Sequence, residues 1–125
     1  MTFSEQVVNE VCAPTDRILC LDETDAFELS KLEKAIIVLH TIWSGPSVKV
    51  LKEYSAAYYR LFDFDRSIKF YVINFDKMTP VLIKKFPGPF GGNGESFIVK
   101  KGFIISSFPH YAEAFEHELA KAFNE

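Results

Sequence analysis

The feature that most constrains this chain is the unbroken apolar run Ala35-Ile36-Ile37-Val38-Leu39-His40, followed after a short loop by a long amphipathic segment. An apolar run of strand length suits a strand buried on both faces of a sheet. From about Pro46 to Leu61, the residues Val50, Leu51, Tyr54, Ala57, Tyr58 and Leu61 recur at three- and four-residue steps. That is the period of a helix with one buried stripe. A buried strand feeding a helix that returns across the sheet is a parallel crossover, so the pattern places the chain in the α/β class.

The remaining segments extend this unit. Residues 4–12 predict a short amphipathic helix, stopped by Ala13-Pro14-Thr15-Asp16, and residues 1–15 read as an N-terminal extension to a domain over 16–125. Residues 17–21 predict a strand. Asp22-Glu23-Thr24-Asp25, rich in capping side chains, predicts the start of a helix through about Lys34. Residues 68–75 predict the third strand, and Thr79-Pro80 opens a short helix to Phe86. Residues 87–94, Pro-Gly-Pro-Phe-Gly-Gly-Asn-Gly, predict an irregular loop. Residues 96–100 and 103–107 flank Lys101-Gly102 as a hairpin, and a last helix runs from Pro109. The result is a central mixed five-stranded sheet with helices on both faces, preceded by a short extra helix.

Composition narrows the function. With 125 residues, a net charge of −3 and an aromatic content of 15%, the chain is an ordinary globular one. Mild acidity gives no electrostatic reason to expect nucleic acid or an anionic membrane as partner. No apolar run approaches a membrane span, and the first fifteen residues lack the basic start and apolar core of a secretory signal. Two cysteines, Cys12 and Cys20, predict unpaired thiols in a reducing compartment, with the cytoplasm as the expected location.

At Trp43-Ser44-Gly45-Pro46-Ser47 the sequence resembles the thioredoxin family, which carries Trp-Cys-Gly-Pro-Cys between its second strand and a long helix. Residues 16–21, 35–40 and 68–76 resemble that family's first three strands, the last ending in Asn74-Phe75-Asp76. Val99-Lys100-Lys101-Gly102 resembles its final hairpin. The resemblance spans about residues 16–124 and implies a thioredoxin-like fold with strand order 1-3-2-4-5.

The family's chemistry needs a thiolate at the helix N-terminus and a second thiol three residues on. Here both positions are serine, Ser44 and Ser47. The resemblance also puts Val38 where the family keeps a buried Asp, Val72 where it keeps the partner Lys, and Gly94 nearest to its cis-proline. These differences together point to a redox-inactive member acting as a protein- or peptide-binding module. The alternative is a thiol-disulfide oxidoreductase whose two cysteines were replaced by serine. No cofactor or metal is expected.

The expected recognition surface is Trp43, Ser44, Gly45, Pro46, Ser47, Phe90, Gly94 and Phe108, with an extended peptide as occupant. If Phe90 and Phe108 fold inward they cap the core instead. His40, four residues before Ser44, raises a Ser–His nucleophile pair without an evident orienting carboxylate; space-filling is the simpler role. His110, Glu113 and His117 would share a helical face, which reads as solvated surface rather than a metal site.

Overall fold

The computed structural model describes residues 3–22, 27–41, 44–88 and 90–123. The elements follow as α1 (Phe3–Val11), β1 (Ile18–Leu21), β2 (Lys34–His40), α2 (Gly45–Phe62), β3 (Lys69–Asn74), α3 (Pro80–Ile83), β4 (Ser96–Lys100), β5 (Phe103–Phe108) and α4 (Phe115–Phe123). The strands form one sheet in the order β1-β3-β2-β4-β5. β1 and β2 run parallel to β3, whereas β4 is antiparallel to both β2 and β5. β2 is the middle strand and is buried from Ala35 onward, which is why its sequence does not alternate.

Alternate residues of β2 enter two cores. Ile36 and Val38 join Val50, Leu51 and Tyr54 on the face covered by α1, α2 and α4. Ala35, Ile37 and Leu39 join Met78, Leu82 and Phe86 on the face covered by α3. Val38 and Val72 are direct neighbours across β2 and β3, and both are fully buried. Two apolar side chains thus sit in direct register at the centre of the sheet. Val8 of α1 and Cys12 just beyond it belong to the first core, so the leading helix packs with the rest. At the far end of α2, the Arg17 guanidinium donates to the carbonyls of Phe62 and Asp65, both at 2.6 Å. It thereby satisfies backbone groups that the helix end leaves open.

Two expected helices are corrected. The segment before β2 forms only a 3-10 turn at Leu29–Lys31, while residues 23–26 lie outside the described residues. The carbonyls of Leu32 and Glu33 accept from the amides of Gly102 and Lys101 in the β4–β5 turn, both at 2.7 Å, and Leu32 is already extended, so the segment enters β2 as a strand-like approach. The last helix begins at Phe115 rather than at Pro109. The Tyr54 hydroxyl takes the Ala112 amide at 3.0 Å and reaches the His110 carbonyl at 3.4 Å, holding 110–112 in a non-helical approach. His110 and Glu113 thus precede α4, and the helical face expected to gather them with His117 is not formed. The hairpin turn is as expected, with φ of 54° at Lys101 and 80° at Gly102. No helix among the described residues is long and apolar enough to cross a membrane.

Candidate functional site at the start of α2

The site is built where β2 ends and α2 begins. Ser44 is the N-cap of α2, with an extended backbone and its Oγ accepting from the Ser47 amide at 3.3 Å. Pro46 lies in the first turn, where its missing N–H leaves nothing unsatisfied. Ser47 is fully buried; its Oγ accepts from the Thr41 amide at 2.9 Å and lies 2.9 Å from His40 Nδ1. Both hydroxyls are therefore engaged in holding the loop, while Gly45 and Pro46 are exposed. Trp43 lies outside the described residues.

His40 pairs with Ser47, not with Ser44 as the sequence spacing suggested. The imidazole is fully buried, and its Nε2 has no hydrogen-bond partner among the described residues. Among the described residues no carboxylate hydrogen-bonds the ring, and Ser47 is fully buried, so the pair does not meet the requirements of a nucleophilic site. Burial pushes the His40 pKa below its ordinary 6.5, partly offset by the charge of Asp76. As pH falls below about 6.5, the unfolded chain gains a proton that the folded one resists. Stability contributed by neutral His40 is thus present above that pH and lost below it. Urea midpoints should fall between pH 7 and pH 5.5, and His40→Phe should flatten that slope; an unchanged slope would contradict the assignment.

Gly94 closes the site from the facing loop. Its φ is +80°, and a Cβ there would lie 3.0 Å from Ser47 Cα and 2.9 Å from Val50 Cβ. Only glycine meets both demands without strain. The backbone before β4 therefore sits directly on the start of α2, at the place the resemblance assigned to a cis-proline. Among the described residues the cis peptide is Ala13–Pro14, remote in sequence from this loop.

Of the expected aromatic patch, Phe90 and Phe108 turn toward the cores, and Trp43 lies outside the described residues. Phe108 is only 8% exposed and packs edge-on against Phe115, with ring centroids 5.3 Å apart. Phe90 is half-buried against Phe75 at 5.4 Å. The two rings belong to opposite cores. A register irregularity in the β4–β5 pairing, which skips Ile105, lets Ile104 and Phe108 reach opposite faces despite their even spacing.

What lies beside the site is a cleft of about 160 Å³ between Pro87-Gly88 and Phe108-Pro109, with Glu95 and Phe97 from the start of β4 between them. Glu95 is a residue the sequence reading missed. Its one signal was an acidic side chain at the head of the apolar run Ser96-Phe97-Ile98-Val99.

The thiols are elsewhere. Cys12 is buried in the first core, where it receives a hydrogen bond from Ser55 at 3.2 Å, and burial raises its pKa. Cys20, in β1, is pushed up to about 12, mainly by burial and then by the charges of Glu5 and Asp22. With such a value roughly one Cys20 thiol in ten thousand is ionised at pH 8. Iodoacetamide at pH 8 should label both cysteines at least about tenfold more slowly in the native chain than in guanidinium, by mass spectrometry. Rapid native labelling of either one would contradict their placement.

The fold defines the class. A sheet of this order, with a long helix starting at the Ser44–Ser47 loop, matches many solved thioredoxins. Thioredoxin from Trypanosoma brucei brucei superposes with a TM-score of 0.69 at 12% identity, covering 90% of this chain and 96% of that one. Thioredoxin f2 from Chlamydomonas reinhardtii gives 0.63 at 14% identity, covering 84% and 94%. The short form of thioredoxin f from spinach chloroplast gives 0.62 at 14% identity, covering 87% and 95%. No family model and no curated protein sequence matches the chain. The chain therefore has a thioredoxin-like α/β fold.

Proposed function

We propose that this chain is a redox-inactive thioredoxin-fold protein that binds an extended segment of another protein at the N-terminal end of α2. The observation that carries the reading is the engagement of both loop hydroxyls. Ser44 and Ser47 are held by the Ser47 amide, the Thr41 amide and His40, and a serine at this place forms no disulfide. Both thiols are remote from that helix end, with pKa values raised by burial. Exchange of two cysteines in a working reductase would not account for Val38 against Val72, or for Gly94 against Ser47. Recognition through main-chain hydrogen bonds needs no thiol. The exposed Gly45-Pro46, the exposed Gly91 and Asn93, and the cleft beside Glu95 supply such a surface. The unpaired cysteines fit a reducing compartment such as the cytoplasm.

The test is a titration of the ¹⁵N-labelled chain with a degenerate pool of ten-residue peptides. Amides of Gly45, Ser47, Gly88, Asn93 and Gly94 should move, while those of α1 and the C-terminal turns of α2 stay in place. Shifts absent, or confined to another surface, would contradict the reading.

A further inference from the structure

We propose that the cleft beside Glu95 is a subsite for a basic side chain, lysine or arginine, of the bound peptide. This rests on the peptide-binding function proposed for the same end of the molecule, and it adds the chemistry that the site selects. Glu95 is only 4% exposed. Its carbonyl accepts from the Leu39 amide at 2.8 Å, so its backbone continues β4. Strand alternation then places its side chain on the same face as Phe97. One carboxylate oxygen, Oε1, accepts from the Asn93 amide at 3.0 Å. The other, Oε2, is shut off from solvent and has no hydrogen-bond partner among the described residues. The ion pairs among those residues join Lys31 to Glu28, Arg60 to Glu116 and Arg66 to Asp16, and none involves Glu95.

A buried carboxylate oxygen without a donor carries a desolvation cost that an incoming donor offsets. A cationic donor matches it in charge as well as in hydrogen bonding. The walls fit the rest of such a side chain. Pro87, Phe97, Phe108 and Pro109 line the cleft and offer apolar surface to a methylene stem. A neutral side chain of the same length would fill the cleft but leave Oε2 unbonded, and an acidic one would meet like charge. Selectivity thus comes from what the cleft rejects as much as from what it holds.

The test uses two sets of probes on the ¹⁵N-labelled chain. The first set is the N-acetyl methylamides of lysine, arginine and norleucine. The second is a pair of Ala/Ser decapeptides that differ only in one central lysine or norleucine. The lysine and arginine amides should shift the amides of Asn93, Glu95, Phe97 and Ser107 saturably. The lysine decapeptide should bind about tenfold to a hundredfold more tightly than its norleucine twin, the range a charge-assisted hydrogen bond contributes. Glu95→Gln should abolish that difference. The comparison of lysine with norleucine needs only the unaltered chain, so it stands even if the variant folds poorly. Equal binding of the two decapeptides overturns the subsite and leaves the peptide-binding function intact. Preference for the lysine amide with neither decapeptide bound supports the subsite and removes the function. Silence of every probe overturns both.

Discussion

Val38→Asp should cost the fold about 3–5 kcal/mol, the loss expected when an uncompensated charge is placed in a core. Val38 is fully buried on the middle strand, with Val72 and Ser96 as its register neighbours and no cationic side chain at either position. A domain of this size holds roughly 5–15 kcal/mol in total, so the thermal midpoint should fall by about 10–25 °C. Adding Val72→Lys should return roughly 1–3 kcal/mol, because the two positions face one another across β2 and β3 and the new charges pair. The double variant should stay less stable than the original, since burying an ion pair in place of two apolar side chains costs desolvation on both partners. Equilibrium unfolding in urea reads all three values. A Val38→Asp variant as stable as the original would mean that Val38 is not enclosed as described.

The second large effect concerns chemistry. Ser44→Cys and Ser47→Cys together should form a disulfide on mild oxidation, because the loop already brings Ser44 Oγ to within 3.3 Å of the Ser47 amide. The α2 N-terminus should lower the pKa of the thiol at position 44, as partial positive charge at a helix start favours a thiolate. Reduction of substrate disulfides should nonetheless run about 10²–10⁴-fold more slowly than in a working thioredoxin. That is the range supplied by a positioned proton-transfer group, and Val38 provides none. Adding Val38→Asp should recover part of the rate if the fold tolerates it. A double-cysteine variant as fast as an ordinary thioredoxin would remove Val38 and Gly94 from the account of inactivity.

Much of the fold was legible because it depends on local pattern. The unbroken run 35–40 suits a strand buried on both faces, and Lys101-Gly102 suits a tight turn, and both are found there. The start of α2 was equally readable, because Ser44 and Pro46 form a local cap that needs no distant partner. What failed depended on groups far away in sequence. The segment before β2 is tied in extended form to the β4–β5 turn, and the approach to α4 lost its first turns to the Tyr54 hydroxyl. Phe108 is aimed inward because of a register irregularity whose presence no residue in β5 announces. Glu95 looked like a surface residue at a strand end. Its burial follows from how 87–94 and the β5–α4 turn close around it, which is a property of the assembled loops.

The central claim is that this thioredoxin fold does its work without disulfide exchange. Its most direct test is the reduction of insulin by dithiothreitol, followed by turbidity, with and without the unaltered chain. The account predicts the same onset of turbidity in both, with no dependence on the concentration of the chain. Acceleration that scales with the chain, and disappears in a Cys12→Ala/Cys20→Ala variant, would contradict it.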